Sequence, residues 1–271
     1  MYKLIALDMD GTLLNEDKEI SLRNKVAIKK AREKGVKVVI STGRPISGIK
    51  KYMEQLGMNK EDDYAIVFNG SRIQKAKTGE VIFNRSLKGR ELKELHRLSE
   101  KLNLNIHAFD GETCITNREN YYSNMEAEWN GVDLKVVDFE DYDDEHEIVK
   151  AIMVEKPEIL EKAEKLIPAE FYEKYTIVKS APFFLEFIEK NSNKGEGVKA
   201  LANHMGITMD NVICIGDAEN DLHMIKYAGL GVAMGNAFEE VKKEADIITG
   251  TNQEDGVALV IEKFILKEEI A

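Results

Sequence analysis

Two observations predict an α/β protein whose doubly wound parallel-sheet core carries an inserted α+β domain. Toward both ends of the chain, short and nearly continuous apolar runs alternate with amphipathic helical stretches, the pattern of parallel strands covered on both faces. In the middle, strand-like segments come in adjacent pairs joined by short polar turns, as antiparallel hairpins do. The core is assigned to residues 1–83 and 189–271 and the inserted α+β domain to 84–188. A length of 271 residues suits two such domains.

Residues 3–8 form the first buried run. Residues 21–34 read as a helix: Ser21 caps it, Leu22, Val26, Ile28 and Ala31 supply its buried side, and Gly35 ends it. Residues 36–41 are the second strand, and Pro45 suits the first turn of a helix that runs to Leu56 and stops at Gly57. The third strand, 64–68, closes in the turn pair Asn69-Gly70. In the middle region 105–109 pairs with 113–116, and 175–179 with 183–188, with helices expected on one face of their sheet. Trp129, Tyr121, Tyr122 and Met125 are expected in the core of that domain. Afterwards 194–205 is helical, 211–215 a strand, 221–227 a helix and 230–234 a strand, with helices near 239–244 and 254–266.

Composition narrows the function. With 38 basic against 49 acidic residues the net charge is −11, which disfavours nucleic acid and anionic membrane as partners, because both are gripped by clustered Lys and Arg. A phosphorylated ligand must then find a local cation. No apolar run approaches the roughly 18 residues needed to cross a bilayer, and the first residues do not resemble a secretion signal. Cys114 and Cys214 lie far apart inside apolar stretches, as expected of a reduced cytoplasmic protein. The five histidines, His96, His107, His146, His204 and His223, show no ligand spacing and are read as surface or helix-face residues. The acidic run 138–147 reads as a solvated loop, and Glu186 as a partner for a substrate hydroxyl or a lysine of the inserted domain.

The chemistry-bearing residues stand at strand ends. Asp8-Met9-Asp10-Gly11-Thr12 follows the first strand, Thr42-Gly43-Arg44 the second, and Gly216-Asp217-Ala218-Glu219-Asn220-Asp221 the strand 211–215. Lys194 opens the preceding helix. In open α/β sheets the reactive site lies beyond the carboxyl ends of the strands. An isolated Asp-x-Asp is an ordinary turn feature, but Asp8, Asp10 and Asp217 would converge at one edge. Two carboxylates about 4 Å apart repel by roughly 4 kcal/mol at an effective dielectric of 20, so the trio needs a cation, and an all-oxygen set suits Mg²⁺.

These four motifs, in this order and spacing, resemble those of the haloacid dehalogenase superfamily. The likeness to its Cof-type sugar-phosphatase branch extends through the segments Lys179-Ser180-Ala181-Pro182-Phe183-Phe184-Leu185-Glu186 and Gly229-Leu230-Gly231-Val232-Ala233-Met234-Gly235-Asn236-Ala237. The resemblance implies an Mg²⁺-dependent phosphatase of small phosphorylated metabolites, sugar phosphates above all. By the same resemblance Asp8 is the nucleophile and Asp10 the acid–base. Asp8, the carbonyl of Asp10 and Asp217 hold the metal, while Thr42, Gly43, Lys194 and Asn220 hold the phosphoryl group. Asp221 orients Lys194 or a metal-bound water, and Arg44 touches substrate or pairs with an acid. The long gap between Thr42 and Lys194 accommodates the inserted domain as a cap, as in that branch. Two alternatives compete: a phosphomutase, which would want clustered cap arginines, and a non-catalytic phospho-receiver, which lacks both the second aspartate and the insert.

Overall fold

The chain begins β1 (Leu4–Leu7), α1 (Leu22–Glu33), β2 (Lys37–Ser41), α2 (Lys50–Gln55), β3 (Tyr64–Val67), β4 (Arg72–Lys75) and β5 (Val81–Asn84). The middle runs β6 (Leu87–Lys88), α3 (Gly89–Lys101), β7 (Asn105–Asp110), β8 (Thr113–Thr116), α4 (Tyr121–Asn130), β9 (Leu134–Val136), β10 (Glu147–Ile148), β11 (Lys150–Val154), α5 (Pro157–Glu164), α6 (Ala169–Lys174), β12 (Tyr175–Ala181) and β13 (Phe184–Glu189). It ends α7 (Lys194–His204), β14 (Val212–Gly216), α8 (Leu222–Tyr227), β15 (Leu230–Ala233), α9 (Glu239–Glu244), β16 (Ile247–Ile248) and α10 (Gly256–Ile261). The computed structural model describes residues 1–268; the end of the segment 189–271, residues 269–271, lies outside the described residues. Two units result: Met1–Thr42 with Lys50–Phe83 and the chain from Asn193, and Gly43–Ile49 with Asn84–Ser192.

In the first unit an eight-stranded sheet has the order β16-β15-β14-β1-β2-β3-β4-β5. Its strands from β16 to β3 are parallel, and β4 turns back antiparallel to β3. Strand β1 is buried along its whole length, which is why it reads as one apolar run. The chain leaves β1 toward β2 and β3 on one side and returns through β14 and β15 on the other. The strand order therefore reverses at β1, the place where an open α/β sheet forms its binding crevice.

Helix α1 is capped by Ser21, whose hydroxyl accepts from the Asn24 amide, and it stops before Gly35 at φ +83°. Its buried side differs from the one expected. Asn24, Ala27, Ile28 and Ala31 face inward, whereas Leu22 is 78% and Val26 44% exposed. The reason is a polar anchor: Asn24 Oδ1 accepts the Ala258 amide of α10 at 2.9 Å, and that contact sets the rotation of the helix. Pro45 does not open a continuous helix. A single turn, Ser47–Ile49, precedes α2.

The second unit is built on a sheet of order β12-β13-β11-β7-β8-β9, antiparallel except for β8 with β9. One face packs Ile106, Ala108, Ala151, Met153, Leu185 and Phe187 against Leu92, Leu95 and Leu98 of α3, Leu160 of α5 and Phe171 of α6. Each large aliphatic side chain buried there contributes about 1.5–3 kcal/mol. Not all helices lie on that face. His107 points away from Ile106 and Ala108, as alternate strand residues must, and its Nδ1 meets Ser123 Oγ of α4 at 3.0 Å. Helix α4 therefore covers the opposite face.

Two further expectations are corrected here. Trp129 is 58% and Tyr121 73% exposed, because α4 turns Ser123, Glu126 and Asn130 inward instead. His107 is no surface residue but fully buried on a central strand. Cys114 and Cys214 are buried and free. Among the described residues no helix is long and apolar enough to cross a membrane.

Candidate active site

The carboxyl ends of β1, β2 and β14 assemble the site in the first unit. Asp8 continues the ladder beyond β1, its amide donating to the Ile215 carbonyl at 2.9 Å. Thr42 does the same beyond β2: its amide donates to Ile66 and its carbonyl accepts from Asn69, both at 2.9 Å. Asp217 follows β14 directly. Two glycines permit the close approach. A Cβ on Gly11, which sits at φ +85°, would lie 2.4 Å from Asp217 Oδ2, and one on Gly216 would lie 2.5 Å from the Asp221 side chain.

Lys194, the first residue of α7, is the hub. Its Nζ donates to Asp8 Oδ1 at 2.5 Å and to Asp221 Oδ1 at 2.6 Å, and all three side chains are almost wholly buried. Asp221 Oδ2 accepts the amides of Asp217 and Ala218 at 2.9 and 3.0 Å, so both its oxygens are engaged. Asp217 Oδ1 accepts the Thr12 hydroxyl at 2.8 Å. Oxygens of Asp8, Asp217 and Asp221 lie within 4.8 Å of one another.

One ammonium thus serves three carboxylates. Burial, reinforced by the charge of Asp221, holds Asp8 well above the usual carboxylate range despite the attraction of Lys194. Burial likewise pushes Asp217 up to about 6, against the opposing hydrogen bond from Thr12. Burial alone would lower Lys194, but Asp221 and Asp8 outweigh it and hold the ammonium above the ordinary lysine value. The surplus of negative charge and the all-oxygen donors fit a divalent cation of the Mg²⁺ type.

Asp8, Thr42, Lys194, Asp217, Asn220 and Asp221, all expected from the sequence, belong to this one sheet edge. Asp10 lies beside them, but its Oδ1 accepts from Lys18 Nζ at 2.9 Å in an exposed ion pair. Gly43 and Arg44 group with the second unit, where the charge of Arg44 acts on Glu126. Several contributors had escaped sequence reasoning. Asn69, in left-handed backbone at φ 55°, accepts from Asn220 Nδ2 at 3.0 Å. Asn236 Nδ2 donates to the Gly11 carbonyl at 2.8 Å, and Thr12 and Lys18 bind the aspartates already named. The one available signal for Asn69 was its position after a third strand, where the Asn-Gly pair reads simply as a turn.

A family model for haloacid dehalogenase-like hydrolases matches residues 5–261. The chain is 41% identical to "Putative phosphatase YxeH" of Bacillus subtilis, over 98% of this chain and 99% of that protein. It is 36% identical to the 5-amino-6-(5-phospho-D-ribitylamino)uracil phosphatase YcsE of the same organism, over 97% and 96%. Among solved structures, a haloacid dehalogenase-like hydrolase from Bacteroides thetaiotaomicron superposes with a TM-score of 0.86 at 36% identity, covering 98% of this chain and 100% of that one. The subclass IIB sugar phosphatase BT4131 superposes with a TM-score of 0.80 at 25% identity, covering 97% and 98%.

Proposed function

The chain belongs to the haloacid dehalogenase-like hydrolases and is a phosphoric monoester hydrolase, and on that premise we propose that it cleaves small polyol or sugar phosphates in the cytoplasm through a phosphorylated Asp8. The observation that carries this reading is the buried Asp8–Lys194–Asp221 chain at the carboxyl end of β1, with Asp217 beside it. Asp8 attacks phosphorus as the bond to the ester oxygen breaks, and Asp10 gives its proton to the departing alcohol. Asp10 then takes a proton from water, the water oxygen attacks phosphorus, and the bond to Asp8 breaks to release inorganic phosphate. Thr42, the Gly43 amide, Lys194 and Asn220 hold the transferring oxygens, and Asp221 fixes Lys194 in place.

Asp8, the Asp10 carbonyl and Asp217 would hold Mg²⁺, which supplies charge neutralisation to the phosphoryl oxygens when bound. Asp221, with both oxygens occupied, is a positioning residue. Lys18 Nζ donates to the Asp10 carboxylate at 2.9 Å. Positioning and preorganised charge carry most of the rate, since a general acid alone contributes about 10²–10⁴. The names of two relatives, a ribitylaminouracil phosphatase and a sugar phosphatase, support a polyhydroxylated alcohol part.

Purified protein offered a panel of sugar phosphates should release phosphate with Mg²⁺, stop in excess chelator and resume when Mg²⁺ is restored. Asp217→Ala should raise the Mg²⁺ concentration needed by about tenfold or more, as loss of one ligand requires. Undiminished turnover in chelator would remove the metal from the account.

A further inference from the structure

Asp10 stands on a reversal of the chain just beyond β1. The Leu14 amide donates back to the Met9 carbonyl at 2.9 Å, Gly11 is left-handed at φ +85°, and Met9, Leu13 and Leu14 are fully buried. Two asparagines from distant loops reach this turn. Asn236, between β15 and α9, donates from Nδ2 to the Gly11 carbonyl at 2.8 Å. Asn252, between β16 and α10, donates from Nδ2 to the Leu14 carbonyl at 2.8 Å. The two are joined, for the Asn252 amide donates to Asn236 Oδ1 at 2.9 Å. The loop that carries Asn236 also grips the end of β14: the Met234 amide donates to the Gly216 carbonyl and the Phe238 amide to the Asp217 carbonyl, both at 3.0 Å.

A loop asparagine ordinarily serves its own backbone a few residues away. Asn15 does so beside this turn, its Oδ1 accepting the Glu19 amide at 2.8 Å. Asn236 and Asn252 instead reach across 225 and 238 positions, and both end on the one turn that carries Asp10 and Thr12. Tyr52 of α2 holds the far end of the same segment, its hydroxyl donating to the Lys18 carbonyl at 3.1 Å. The glycine beside Asp10 gives the main chain freedom, and side-chain donors from two other loops take that freedom away.

We infer that Asn236 and Asn252 are positioning residues that fix the main chain of the Asp10 turn relative to Asp217, and so set where the Asp10 carboxyl meets the leaving oxygen. The inference rests on the assignment of Asp10 as acid–base above. A general acid must stand about 2.6–3.2 Å from the oxygen it protonates, and a misplacement of about 1 Å can cost about 10²-fold in rate. Neither asparagine is assigned a contact with substrate; both act through Asp10.

The test uses the full chain in saturating Mg²⁺. It compares kcat/KM for an alkyl phosphate, whose leaving oxygen needs a proton, with kcat/KM for an aryl phosphate, whose leaving oxygen needs little help. Asn236→Ala and Asn252→Ala should each lower the alkyl-to-aryl ratio by about tenfold. Asn236→Asp should do the same, because an ionised carboxylate still accepts the Asn252 amide but has no donor for the Gly11 carbonyl. Asn236 is exposed, so its variants should unfold at the wild-type denaturant concentration. In an Asp10→Asn background, Asn236→Ala should lower kcat/KM for the alkyl ester by less than about twofold further, because the group it positions is gone. Alanine variants that keep the wild-type ratio, or that lose activity equally toward both esters, overturn the inference, as does a full additional loss in the Asp10→Asn background. An Asp10→Asn protein with the wild-type ratio would overturn the acid assignment itself, and that control tells the two failures apart.

Discussion

Asp217 owes its place to a missing side chain. Gly11 leaves β1 at φ +85°, and the space its Cβ would take is already filled by the Asp217 carboxylate. Gly11→Ala therefore combines a left-handed alanine, costing about 1–2 kcal/mol, with displacement of a proposed metal ligand. Phosphate release should fall by about tenfold or more while denaturant unfolding shows only that modest loss of stability. Wild-type activity in Gly11→Ala would mean that Asp217 can shift without consequence. At this scale the sequence is readable wherever a residue acts at its own strand end, as Asp8, Thr42 and Asp217 do. It is not readable where a residue acts through a remote partner. Thr12 reaches Asp217 across 205 positions and Asn220 reaches Asn69 across 151, and no local periodicity records either pairing.

Helix α1 shows the same limit for whole elements. Its start, end and cap follow from Ser21 and Gly35, but its rotation does not follow from its apolar residues. Asp255, the residue before α10, is left-handed and makes no capping bond, so Asn24 of α1 supplies one to the Ala258 amide across the packing interface. Leu22 and Val26 are displaced outward as a result. Asn24→Ala should cost about 1–2 kcal/mol, the worth of a lost cap whose amide is left buried, whereas Leu22→Lys should stay within about 0.5 kcal/mol. Denaturant melts of the two variants read the difference, and the opposite ranking would restore the rotation expected from hydrophobicity. Helix α4 is the parallel case in the second unit. Its aromatic residues suggest a core helix, yet it turns Ser123, Glu126 and Asn130 inward over a sheet face on which His107, Lys150 and Glu186 stand among the buried apolar residues Phe109, Ile152 and Phe184.

For the molecule as a whole, the alternation of strand and helix marks the parallel sheet, and the paired strands of the middle mark the other unit. The inclusion of Gly43–Ile49 with the second unit was not legible, because it arises from packing against α4 and not from any change of composition. The net charge of −11 makes the buried Lys194 more telling, for the site gathers three carboxylates about one ammonium on a chain already rich in acid. That arrangement serves the central claim, that Asp8 carries the phosphoryl group and Asp10 moves the protons. Intact-mass measurement after rapid quench with an aryl phosphate and Mg²⁺ tests it most directly. An aryl leaving group needs little protonation, so Asp10→Asn should still be phosphorylated but hydrolyse slowly, by about 10²–10⁴. The account predicts a phosphate adduct on Asp10→Asn that maps to Asp8, and none on Asp8→Asn; an adduct on Asp8→Asn, or full turnover by Asp10→Asn with an alkyl phosphate, would contradict it.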